Sequence, residues 1–155
     1  MMSGRERIEQ ERARLAADPW RGEMDEPVHE VFGEVIHAYT RAQAIEDGAL
    51  VDVSTVAREA GITFPVALTR GAWGRCVTVP VGVRGQDEAG RLWDVVWMLR
   101  CMIVAGRASG SDCRFRLHVR TDNRERMPRA VELRSVCGPG DQGEPVLTVM
   151  LPEED

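Results

Sequence analysis

Hydrophobic positions along this chain change their period once, and the change divides it into helical and extended halves. Between residues 28 and 39, Val28, Val31, Phe32, Val35, Ile36 and Tyr39 recur at the spacing of a core-facing helix. A longer run of the same kind covers about residues 87–105. There Leu92, Val95, Val96, Leu99, Met102 and Ile103 form one wide stripe, and Trp93, Trp97 and Val104 carry it further round. A helix apolar on most sides packs against more than one neighbour, so this one is expected at the centre of the fold. From Cys113 the period becomes two. Cys113, Phe115, Leu117, Val119 and Thr121 alternate with Arg114, Arg116, His118 and Arg120, the pattern of a half-buried strand. Residues 130–136 and 146–151 read as two more strands.

Local signals fill in the rest. Ser3 with Glu6 is a capping box opening a helix whose only clear apolar positions are Ile8 and Leu15, which predicts a solvated helix. Residues 18–27 (DPWRGEMDEP) form an acidic linker holding Trp20. Thr40 with Gln43 opens a short helix that Gly48 closes; residues 50–53 are extended, and Ser54 caps a brief helix ending at Gly61. Residues 62–68 are extended again, with Pro65 predicting a sheet edge. Residues 69–77 predict a short helix carrying Trp73, and 78–86 a loop. Helices gathered before strands predict an α+β fold, with N-terminal helices and a long central helix packed on a C-terminal antiparallel β-meander. The expected organisation is a charged N-terminal helix and acidic linker over 1–27 and a single α+β domain over 28–155.

Composition narrows the functional classes. A chain of 155 residues with 43% hydrophobic content can bury a real core, and the net charge of −5 argues against a wholesale nucleic-acid coat. All 20 basic residues are Arg, so chemistries that need an active-site lysine are excluded. Cys76, Cys101, Cys113 and Cys137 show neither CxxC nor zinc-ribbon spacing, and the N-terminal stretch lacks a signal-peptide core. The cytoplasm is the expected compartment. The apolar run over 92–105 contains Asp94 and Arg100 and falls short of a membrane span, so no membrane association is expected.

Several residue patterns invite chemistry and do not sustain it. Residues 138–143 match GxGxxG, but a dinucleotide site needs those glycines to open a helix, and Glu144-Pro145 and a strand follow. Glu30, Glu34 and His37 share a helix face, yet the second Glu-x-x-His of a di-iron site is missing, and a solvated polar stripe explains them. Cys113 and His118, separated by an odd number on one strand, point to opposite faces. Asp87, Arg91 and Asp94 could line an enzymatic site, although capping and intrahelical pairing account for them. Trp93 and Trp97 share a face with Arg100 and Cys101, either as core or as an exposed aromatic anchor. No cofactor or metal is expected.

The strongest local chemistry is the stripe Arg114, Arg116, His118 and Arg120. Side chains two apart project from one face at roughly 6.8 Å intervals. Residues 107–134 carry eight Arg against Asp112, Asp122, Glu125 and Glu132, whereas residues 137–155 carry five acids and no base. The stripe therefore meets an external anionic partner, or it is neutralised by the protein's own carboxylates.

Three segments together resemble an uncharacterised family of small bacterial proteins, a domain of unknown function often carried on plasmids and phages. They are YTRAQAIEDGALVDVS (39–54), GQDEAGRLWDVVWMLR (85–100) and CGPGDQGEPVLTVMLPEED (137–155), and the likeness covers about residues 36–155. The resemblance implies a mobile-element accessory protein that engages host machinery or host defence, working by stoichiometric binding. The expected function is non-catalytic binding of an acidic host-protein surface through Arg114, Arg116, His118 and Arg120. A module reading the phosphates of nucleic acid or nucleotide through the same stripe is the second expectation, and an enzyme the third.

Overall fold

A computed structural model describes residues 3–16, 39–107 and 110–155. The chain divides into two units, Met1–Thr40 and Arg41–Asp155. In the first, the capping box is made. The Ser3 amide donates to Glu6 Oε2 at 3.0 Å and the Glu6 amide to Ser3 Oγ at 3.4 Å, opening helix α1 (Gly4–Ala16). Residues 3–10 are exposed throughout, as a helix without an apolar stripe should be. The linker and most of the helix expected over 28–39, including Glu30, Glu34 and His37, lie outside the described residues. Tyr39, the last position of that stripe, is described and exposed.

The second unit is α+β. Its elements run α2 (Arg41–Glu46), β1 (Leu50–Asp52), α3 (Ser54–Glu59), β2 (Val66–Thr69), α4 (Arg70–Cys76), α5 (Glu88–Val104), β3 (Asp112–Val119), β4 (Arg129–Pro139) and β5 (Pro145–Met150). The last three strands form the antiparallel meander. β4 pairs with β3 from Val119↔Arg129 to Asp112↔Val136, and with β5 from Arg134↔Met150 to Pro139↔Pro145. The sheet continues past the meander: β5 pairs in parallel with β2, and β2 antiparallel with β1, in the order β1-β2-β5-β4-β3. Pro65 therefore does not mark an edge. It sits just before an interior strand, where no ladder amide is asked of it, and its carbonyl accepts the Leu147 amide at 2.9 Å.

One face of the sheet builds the core. Val66 and Leu68 (β2), Leu147 and Val149 (β5), Leu133 (β4) and Phe115, Leu117 and Val119 (β3) are buried with Leu92, Val95, Val96 and Leu99 of α5. Those four α5 positions lie at i, i+3, i+4 and i+7, one face of a helix. Each contributes about 1.5–3 kcal/mol of gross burial free energy, so together they match the net stability of a whole domain. α5 packs on β3 and beside α3 and α4. The rest of its apolar surface is not covered to the same degree: Trp93, Trp97, Ile103 and Val104 are exposed.

Four helix ends follow local chemistry and a fifth does not. Asp87 caps α5 by accepting the Gly90 amide at 2.7 Å, and Thr69 caps α4 by accepting the Ala72 amide at 3.1 Å. Gly48 and Gly61 close α2 and α3 at φ +79° and +94°, conformations that L side chains resist. Ser54 is the exception. The cap of α3 is Val53, without a side-chain bond. Buried Ser54 instead donates to Asp52 Oδ1 at 2.5 Å and accepts the Val66 amide at 3.1 Å, tying α3 to β2.

Candidate partner-binding surface

The period-two pattern of β3 is realised residue by residue. Cys113, Phe115, Leu117 and Val119 are buried, and Arg114, Arg116 and His118 are exposed. The Arg114 and Arg116 side chains are 59% and 75% accessible. Across the ladder Arg114 faces Arg134, Arg116 faces Glu132 and His118 faces Ala130. Like charges directly opposite on a sheet repel. Arg134 relieves the clash by turning to Asp112, Nε to Oδ2 at 2.8 Å, while Arg114 and Arg116 both reach Glu132, at 3.4 and 3.6 Å. One carboxylate thus serves two guanidinium groups. Exposed pairs of this kind contribute about 0–1 kcal/mol and exchange readily for another carboxylate.

Three of the five acids over 137–155, Asp141, Glu144 and Glu154, are engaged elsewhere. Glu154 accepts from the Thr69 hydroxyl at 2.7 Å and the Leu151 amide at 2.8 Å. Asp141 accepts the Ala42 and Arg41 amides at 3.0 and 2.8 Å, and these bonds hold its carboxyl below the usual aspartate range. β2, which carries Thr69, is three strands from β3, roughly 14 Å at normal strand spacing. Among the described residues no ion pair joins the stripe to the C-terminal acids.

Arg120 departs from the stripe. β3 ends at Val119, so alternation no longer directs the next side chain. The Arg120 guanidinium donates to the Arg124 carbonyl at 2.8 Å and the Arg126 carbonyl at 3.3 Å, bracing the β3–β4 loop. Within that loop Asp122 accepts the Arg124 amide at 3.1 Å and pairs with Arg126 at 2.7 Å, which lowers its carboxyl pKa. The exposed surface is therefore Arg114, Arg116 and His118, with Arg120 supporting the loop beside it.

Asp87, Arg91 and Asp94 do not converge. Asp87 is a cap and Asp94 is exposed. Arg91, only 4% exposed, donates to the carbonyls of Thr78 (2.7 Å) and Arg120 and to Gln86 Oε1 at 3.4 Å. It pins two loops to α5. The glycine-rich run closes the β4–β5 hairpin, with the Gly140 amide on the Glu144 carbonyl at 2.6 Å and the Gly143 amide on the Gly140 carbonyl at 3.0 Å. All four cysteines are free, and burial pushes the Cys76 thiol up to about 11 and raises that of Cys113. Trp93 and Trp97 stack at 5.7 Å with Arg100 over Trp97 at 5.0 Å, a partly exposed ladder outside the core. Among the described residues no group of three metal-capable side chains forms, and no helix is long and apolar enough to cross a membrane.

One feature escapes the sequence. An open groove of about 400 Å³ runs along β3, lined by Met102, Arg107, Arg114, Phe115, Arg116 and Glu132. Arg107, three residues past the end of α5, lines the same groove as Arg114 and Arg116 and adds a third guanidinium against the single carboxylate.

A family model described as a family of unknown function, DUF6573, matches residues 29–155. The chain belongs to DUF6573. No curated protein and no solved structure matches it. The DUF6573 region contains the whole second unit and so the entire β3 surface. Two of the segments that carry the resemblance meet in the fold. Asp141, from the third, caps the helix begun by Arg41, from the first, while the Arg41 guanidinium bonds Thr148 Oγ1 at 2.7 Å and the Leu147 carbonyl at 2.9 Å.

Proposed function

We propose that this protein acts by stoichiometric, non-catalytic binding of an acidic protein surface, through Arg114, Arg116 and His118 on β3. What supports the reading is the charge imbalance there: Arg114 and Arg116 share the one carboxylate of Glu132, while Asp141 and Glu154 bond elsewhere. An incoming carboxylate replaces long, exposed contacts worth little, and gains charge-assisted bonds to groups already held by a rigid strand. In the setting implied by the resemblance to plasmid- and phage-borne proteins, it is a mobile-element accessory protein. Its partner is then a host protein, host-defence components included, met in the cytoplasm, where four unpaired cysteines stay reduced.

The test is capture from host lysate by the full chain and by an Arg114→Glu/Arg116→Glu variant, with and without nuclease. A protein retained by the parent, insensitive to nuclease and lost by the variant supports the reading. Retention that vanishes with nuclease overturns it in favour of phosphate binding. In that case Arg107, Arg114 and Arg116 would give log affinity a slope of about −2.7 against log salt.

A further inference from the structure

We infer that the partner segment binds as an added β-strand on the free edge of β3, and that it is an extended acidic peptide with carboxylates at alternate positions. The inference rests on the proposed binding role and specifies its geometry. β3 closes the sheet order on one side, so among the described residues no strand pairs with its outer edge. It contains no proline and keeps register with β4 without a bulge from Asp112 to Val119. A regular, uninterrupted edge of this length is a ready template for another strand.

The ladder determines which groups the edge offers. The Cys137 amide bonds the Ser111 carbonyl at 2.7 Å, so that opposed pair is of the hydrogen-bonded kind. Such pairs alternate along an antiparallel ladder. Cys113, Phe115, Leu117 and Val119 therefore turn their amides and carbonyls to β4, and Asp112, Arg114, Arg116 and His118 turn theirs outward. Three of the residues with outward backbone groups, Arg114, Arg116 and His118, are the ones whose side chains form the proposed binding face. A strand added at this edge meets both at once.

The groove lies where that strand would run. Arg114, Arg116 and Glu132, on the outer face, line it together with Met102 and Phe115 of the core side and with Arg107, which follows α5. Alternate side chains of an incoming strand fall on these two sides. Those on the outer side meet guanidinium groups, which selects carboxylates; those on the inner side meet Met102 and Phe115, which selects apolar groups. A second copy of β3 is disfavoured, because either central antiparallel register sets arginine against arginine.

The experiment uses the full chain and an eight-residue blocked peptide, as long as β3, alternating Glu with Val. A second peptide of identical charge is N-methylated at the Glu amides, then at the Val amides, to remove edge-facing donors in either register. Amide exchange at Arg114, Arg116 and His118 is followed by NMR. The expected result is a slowing of at least tenfold on adding the unmodified peptide, with one methylated form binding at least tenfold more weakly. His118→Pro, which removes an outward amide, should bind more weakly than His118→Ala when both melt like the parent. If all peptides bind equally, in an Arg114- and Arg116-dependent way, and exchange is unchanged, strand addition is overturned while the proposed acidic-partner role stands. If the acidic peptide fails to bind, or binds the Arg114→Glu/Arg116→Glu variant equally well, both are overturned and the arginines only guard the edge against aggregation.

Discussion

Replacing Arg91 by Met keeps the aliphatic stem of the side chain and removes a buried guanidinium whose donors go to the carbonyls of Thr78 and Arg120 and to Gln86. Charged-donor hydrogen bonds contribute about 1.5–3 kcal/mol each, and the part-buried carbonyls left unpaired cost less than the about 1–3 kcal/mol of a fully buried one. Against this, no carboxylate lies within ion-pair distance of Arg91 among the described residues, so deleting the cation also relieves an uncompensated desolvation penalty. The balance predicts a loss of about 2–4 kcal/mol. For a unit of this size that is a fall in Tm of about 8–16 °C. Thermal melts followed by circular dichroism and by Trp fluorescence, with urea titration for ΔG, measure it. The loss should also reach Arg120, whose carbonyl Arg91 holds and whose guanidinium holds the β3–β4 loop, so loop amides over 122–128 should exchange faster. A change below about 0.5 kcal/mol would refute the reasoning, since it would mean that the two carbonyls find water as easily as they find Arg91.

Other consequences are as direct. Glu132→Gln releases Arg114 and Arg116 from their shared carboxylate and should tighten binding of the alternating acidic peptide about threefold by titration, from the modest worth of exposed pairs. The Asp141 carboxyl is held low by the Ala42 and Arg41 amides, so its contribution to stability is present above the ordinary aspartate pKa and disappears as pH falls through the lowered one. The Arg41 and Ala42 amide shifts should titrate with a midpoint below that of an exposed aspartate, and Asp141→Ala should abolish the titration. With its thiol near 11, Cys76 holds about one part in a thousand as thiolate at pH 8, so it should resist alkylation, and Cys113 with it, while half-buried Cys101 and Cys137 label first.

The parts of the fold readable from sequence are those where near neighbours decide. Alternation over 113–119 depends only on successive side chains going to opposite faces, and the capping of α5 by Asp87 on a bond three residues long. The parts not readable depend on distant chain. Pro65 looked like an edge residue because nothing local announces β1 on one side of β2 and parallel β5 on the other. Asp141 sits in a glycine-rich loop, and its partners Arg41 and Ala42 lie a hundred positions away. Trp93 and Trp97 share a face by spacing, but which apolar face of α5 meets the sheet was settled by Leu92, Val95, Val96 and Leu99. Within the candidate site the same division holds. Arg114, Arg116 and His118 were legible from the period of two, whereas Arg120 left the stripe because the strand ends one residue earlier and the loop carbonyls of Arg124 and Arg126 draw it away. Arg107 was invisible as a groove residue, since its place three residues past the end of α5 does not announce the groove it lines with Arg114 and Arg116.

The central claim is that the guanidinium groups of β3 carry the binding. Calorimetric titration of the captured protein partner against the parent, Arg114→Glu, Arg116→Glu and the double variant tests it most directly, with melts confirming that each is folded. Each single reversal should weaken binding about tenfold or more, and the double variant should not bind measurably. Affinities within twofold of the parent across all three folded variants would contradict it.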